Sequence, residues 1–113
     1  MEATADRLDA VFFALSDRTR RTILERLARG AAGVNELKDS FSISQPAISR
    51  HLKILERAQL IRRSREAQRR PARVETEAIA EATTWIEHFQ QLWEANYQRL
   101  DALLAGELQR HND

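Results

Sequence analysis

Residues 44–57, "SQPAISRHLKILER", hold the side chains whose types and spacing point to a chemistry. Ile48, Leu52 and Leu55 recur at steps of four and three, which is one apolar face of a helix. The other face offers Ser44, Gln45, Pro46, Ser49, Arg50, Lys53 and Arg57, with its charge almost all positive. Hydrogen bonding to DNA suits this set. Arginine pairs with guanine O6 and N7, and glutamine with adenine N6 and N7. Side chains near the start of a helix seated in the major groove meet base edges, which puts Gln45, Ser49 and Arg50 forward. Ser44 and the helix N-terminus are placed to meet a phosphate. The next stretch, "LIRRSREAQRRPARV", adds Arg62, Arg63, Arg65, Arg69, Arg70 and Arg73. Such a density suits contact with sugar-phosphate or a minor groove.

The whole-chain net charge of +1 hides this concentration. Residues 1–43 carry seven basic and seven acidic side chains, residues 44–75 nine and three, and residues 76–113 two and seven. The middle is therefore a basic block of net +6 and the tail an acidic one of net −5, so a polyanion is the expected partner of the middle. The remaining totals narrow the class. At 113 residues, 42% hydrophobic, with three Gly, two Pro and a mean hydropathy of −0.56, the chain suits one small helical domain, residues 1–113. It has no cysteine, hence no disulfide and no thiolate metal ligand. No apolar run approaches the roughly 20 residues of a membrane span, and "MEATADRLDA" lacks a signal-peptide core, so a cytoplasmic protein is expected. No cofactor is expected. There is no glycine-rich phosphate loop, and Ser44 and His51 lie too far apart along one helix to act as nucleophile and base. An enzyme is not expected.

The elements that must position these residues follow from periodicity. A first helix is predicted over 6–15, with Leu8, Val11, Phe12 and Leu15 at helical spacing. A second is predicted over 18–29, with Ser16 as its N-cap, Asp17 at its positive end, Ile23, Leu24 and Leu27 buried, and Gly30 as its stop. A two-turn helix burying Val34, Leu37 and Phe41 precedes a three-residue turn and the helix opened by Ser44, with Pro46 in its first turn. That is a helix-turn-helix over about 34–58. The arginine-rich stretch reads as a two-stranded ribbon turning near Glu66–Gln68, with Pro71 on an open edge of the second strand.

From about 76 to 104 a long helix is predicted. Ile79, Ala82, Ile86, Phe89, Trp93, Asn96, Leu100 and Leu103 step by threes and fours, a heptad seam flanked by Trp85, Leu92 and Tyr97. A stripe this long predicts self-association, with Asn96 helping to set register.

"FFALSDRTRRTILERLA", "VNELKDSFSISQPAISRHLKILERAQLI" and the arginine ribbon resemble the ArsR/SmtB family of bacterial winged helix-turn-helix repressors, over roughly residues 8–104. The pattern S-x-P-A-I-S-x-H-L-K-x-L at residues 44–55 is the most specific part. The resemblance implies a mostly α fold with a small β-hairpin wing at residues 61–74. It implies a homodimer built on the first and last helices. Leu8, Val11, Phe12, Ile86, Phe89, Trp93, Asn96, Leu100 and Leu103 would then line the interface. It also implies repression by occupying promoter DNA, and adds a phosphate contact to the helix-packing role that the position of His51 suggests.

Three departures from the family are visible. The helix over 34–41 lacks the cysteine pair of its metal sensors. The last helix offers only adjacent Glu87 and His88, which point about 100° apart, and the distant His111, so no metal site is expected. The wing lacks a tip glycine. Two rival readings remain: a metal-responsive repressor with histidine and carboxylate ligands at the dimer interface, and a winged helix that docks a protein partner. The sequence does not name an effector.

Overall fold

The computed structural model describes the backbone of residues 2–65 and 70–112. The expected turn at Glu66–Gln68 and the side chains of Arg69 and His111 lie outside the described residues. In chain order the elements are α1 (Glu2–Leu15), α2 (Arg18–Leu27), α3 (Val34–Ser40), α4 (Gln45–Arg57), β1 (Ile61–Arg63), β2 (Ala72–Val74) and α5 (Glu77–Asn112). This is a winged helix-turn-helix. The chain divides into two units, one up to Ala82 and one from Thr83 onward.

In the first unit, apolar positions three and four apart on the helices converge on one core. It holds Val11 and Ala14 of α1, Ile23 and Leu27 of α2, Leu37 of α3, and Ile48, Leu52 and Leu55 of α4. Leu60, Ile61 and Ala72 close it beneath the ribbon. Leu24, expected inside, is only partly buried, as are Val34 and Phe41. Of the first two positions of the predicted seam, Ala82 belongs to this core and Ile79, partly buried, packs against it. The seam available to a partner therefore starts later than its periodicity suggests.

The caps correct the expected helix ends. α1 begins at Glu2 rather than near residue 6. Asp17, not Ser16, caps α2: its backbone is extended and its Oδ2 accepts the Arg20 N–H at 3.0 Å. Ser16 instead donates its hydroxyl back to the Phe13 carbonyl at 2.6 Å. α2 stops at Leu27, and the turn after it passes through Gly30 at φ +151°, a conformation that side-chain-bearing residues rarely adopt. Ser44 caps α4 through a hydrogen bond from the Ala47 N–H, with Pro46 in the first turn.

α4 ends with Gln59 in the left-handed region at φ +61°. The Gln59 and Leu60 N–H groups bond back to the Glu56 and Leu55 carbonyls, the paired bonds of a Schellman cap. That turn delivers the chain straight into β1.

β1 and β2 pair antiparallel in the register Ile61↔Val74, Arg62↔Arg73 and Arg63↔Ala72. The other edge of β2 is not open. Ala32, between α2 and α3, exchanges both backbone hydrogen bonds with Ala72, at 3.1 and 2.8 Å. Pro71 therefore cannot occupy an open strand edge. It stands one residue before β2, and the ladder uses only its carbonyl, which accepts the Ser64 N–H at 2.9 Å. The ribbon is thus stitched to the helix-turn-helix at its base.

The second unit is the remainder of α5. Trp85, Ile86, Phe89, Leu92, Trp93, Tyr97, Leu100, Leu103, Leu104 and Leu108 are all exposed in the single chain, Trp93 at 63% and Leu108 at 67%. Trp85 and Phe89, one turn apart, stack with ring centroids 5.8 Å apart.

Candidate nucleic-acid interface

α4 holds its inner face to the core through Ile48, Leu52 and Leu55, each fully buried. Every other outward position follows from that anchoring. Ser44, Gln45, Pro46, Arg50, Lys53 and Arg57 are exposed, and Ser49 is half-buried. The N-terminal turn thus presents an amide, two hydroxyls and a guanidinium together, the mixture of donors and acceptors that base edges and phosphates require. Arg57 stands in the last turn, where its charge also favours the negative end of the helix.

The wing displays its arginines unequally. Arg62 and Arg73 are cross-strand partners, and both reach one carboxylate, Glu75, with Nε to Oε1 distances of 3.5 and 3.6 Å. Their side chains remain 69% and 62% exposed, so both stay open to solvent. Arg65 and Arg70 are exposed. Arg63 is different. It is half-buried and donates from Nε and Nη2 to the Arg70 carbonyl at 3.4 and 3.3 Å. Burial, with the Arg70 charge beside it, pulls the Arg63 guanidinium below its usual range. Arg63 thus acts partly as a strut for the backbone at Arg70, which takes a positive φ of 39° where no glycine is present.

A cleft of about 290 Å³ lies between the start of α3 and the wing, lined by Gly33, Asn35, Glu36, Gln45, Arg63 and Arg70 among others. It brings Gln45 of the helix and two wing arginines around one concavity. The two halves of the sequence-predicted site therefore adjoin.

His51 is half-buried, between its two expected roles. Its Nδ1 lies 3.3 Å from Nη1 of Arg20. Arg20 is the residue that sequence reasoning overlooked. Only 6% exposed, it donates from Nε to the Ala14 carbonyl at 2.8 Å and from Nη2 to the Phe13 carbonyl at 3.0 Å. A signal for it was present: Arg20 stands three, four and seven residues before Ile23, Leu24 and Leu27, on the same face of α2.

The residues expected at a dimer interface separate into two sets. Val11 is 1% exposed and belongs to the core of its own chain, which removes it from any such face, and Leu8 is half-buried. Phe12, Ile86, Phe89, Trp93, Asn96, Leu100 and Leu103 are exposed. Among the described residues, no group of three or more His, Cys, Asp or Glu is arranged to hold a metal ion, and no helix is long and apolar enough to cross a membrane.

With this geometry in place, the likenesses to known proteins are specific. Residues 17–63, from the cap of α2 to the end of β1, match the bacterial regulatory proteins of the arsR family. The chain is 38% identical over 81 residues to the HTH-type transcriptional regulator Rv2034 of Mycobacterium tuberculosis, across 72% of this chain and 76% of that protein. It is 35% identical over 82 residues to the transcriptional repressor SdpR of Bacillus subtilis, across 73% of this chain and 91% of that protein. The crystal structure of the ArsR family transcriptional regulator RHA00566 superposes with a TM-score of 0.74 at 36% identity, covering 80% of this chain and 93% of that one.

Proposed function

The chain belongs to the arsR family of bacterial regulatory proteins, and on that premise we propose that it is a homodimeric repressor of a palindromic operator, acting in the cytoplasm. It is a DNA-binding transcription regulator and not an enzyme. Gln45, Ser49 and Arg50 read base edges in the major groove. Ser44, Pro46, His51, Lys53 and Arg57 meet the flanking backbone, and Arg62, Arg63, Arg65, Arg69, Arg70 and Arg73 follow the adjacent sugar-phosphate. The observation that carries this assignment is the exposed, polar and basic face of α4, held rigid by three fully buried side chains on its other side.

The helix-turn-helix, the wing and the long helix work as one domain. The exposed apolar stripe of α5 supports pairing with a second copy, because a patch of this size is not left to water, and Phe12 of α1 is also exposed. A dyad between two copies sets the two α4 helices about one DNA turn, ~34 Å, apart, and the operator mirrors that symmetry. Likeness to a protein named a transcriptional repressor favours repression over activation.

The test is fluorescence anisotropy of the purified protein on its own upstream DNA and on a scrambled duplex, across a salt series. Tighter binding to the upstream DNA, with a steep salt slope on both duplexes, is the expected result. Equal and weak binding to both would overturn the assignment and turn attention to a protein partner.

A further inference from the structure

We propose that Arg20 is the positioning residue of the DNA-reading helix: its guanidinium fixes His51 in the Nε2–H tautomer and ties α4 to the end of α1. This rests on α4 being the helix that meets DNA.

A guanidinium has donors and no acceptor. Where Arg20 Nη1 meets His51 Nδ1 at 3.3 Å, the imidazole nitrogen has to accept. The neutral ring then carries its proton on Nε2, which remains as a donor for a phosphate. Arg20 itself has little freedom. Its planar fork is aimed by two carbonyls of the last turn of α1, those of Phe13 and Ala14. Its Cζ lies 5.1 Å from the centre of the Phe13 ring, within range of a cation–π contact. Those carbonyls sit at the negative end of the α1 dipole, that of Phe13 also accepting from Ser16, and they hold the cation in a site from which water is nearly excluded. Asp17, at the cap of α2, accepts the Arg20 backbone N–H and fixes the other end of the residue.

One side chain thus joins three helices. Its body belongs to α2, two of its donors hold α1, and its third holds the ring on α4. The apolar burial of Ile23 and Leu27 is non-directional, whereas a hydrogen bond sets an orientation. Lysine cannot substitute, because a single ammonium lacks the fixed fork that makes all three contacts at once.

The experiment has two parts. The first measures imidazole ¹⁵N shifts of His51 in the full-length protein at neutral pH. The Nε2–H pattern with an accepting Nδ1 is expected; an Nδ1–H ring or an even mixture of tautomers would overturn the proposal. The second is a double-mutant cycle on affinity for the upstream DNA, using Arg20→Lys, His51→Phe and their combination. Each single variant is expected to lose about tenfold in affinity. The combination is expected to lose no more than the larger single loss, since both act through one contact. Additive losses would mean that Arg20 only holds α1 in place, and would overturn the proposal. If Arg20→Lys does not fold, the tautomer measurement decides alone. Wild-type protein that binds neither duplex would sink the assignment of α4, whereas the tautomer result stands apart from it.

Discussion

Arg50 and Arg73 are both exposed arginines, yet their settings predict different behaviour. Arg50 projects from the first half of α4, and the proposed reading gives it a bidentate pair with guanine. Arg50→Ala is expected to cost roughly 1–3 kcal/mol on the operator and little on random DNA. Anisotropy on both duplexes checks this, and equal losses would remove the base-reading role. Arg73 lies on the wing, so Arg73→Ala is expected to weaken all DNA alike and to reduce the salt slope, by less than the full unit of a free arginine because Glu75 already neutralises part of its charge. The outward set on α4 was legible because Ile48, Leu52 and Leu55 fix the phase of the helix and leave its other positions no choice. Arg20 was not. In "RTRRTILERL" four arginines look alike, and only the fold shows that one of them finds carbonyls instead of water.

Two helix ends carry measurable stability. Asp17→Ala removes the cap of α2 and is expected to cost about 1 kcal/mol at pH 7 by urea denaturation. The backbone hydrogen bond from Arg20 holds the Asp17 carboxyl below its usual range, with the nearby guanidinium adding to the effect. A carboxylate depressed in the folded state stabilises above its unfolded value, and that contribution fades as the pH falls through the folded one. The gap between wild type and Asp17→Ala is therefore expected to narrow below about pH 4. A gap constant from pH 7 to pH 2 would contradict this origin. At the other end of the motif, Gln59→Gly relieves a left-handed residue and is expected to raise stability by about 0.5–1 kcal/mol. The existence of these helices was legible from apolar spacing, but their ends were less so. Ser16 and Asp17 are both good caps, and only the backbone path chooses between them. The place of Pro71 was misjudged because the bridge from Ala32 joins residues 40 apart, which no local pattern reveals.

For the molecule as a whole, the proposed pairing through the exposed stripe of the long helix makes a prediction about assembly. Trp93→Glu puts a charge into the middle of the exposed stripe and is expected to yield a monomer by sedimentation equilibrium. Operator affinity should fall with it, since two half-sites are no longer held together. Unchanged assembly would relocate the interface. The stripe itself was legible from Ile86 to Leu103 because an eight-residue run of threes and fours is hard to produce otherwise. Its beginning was not, since Ile79 and Ala82 follow the same rhythm while serving the core of their own chain. The same limit applies to Val11, whose spacing matches that of Phe12 and whose side chain is buried. Periodicity identifies an apolar face; it does not say whose surface covers it.

Glu75, shared by Arg62 and Arg73, gives the wing a tethered counterion. On the proposed reading, a phosphate meeting the wing displaces in part a carboxylate fixed to the protein, which is not released into solution and leaves no trace in a salt titration. The number of phosphates inferred from such a titration will therefore undercount the arginines that touch DNA. The wing, in effect, carries a bound counterion that never enters the solution.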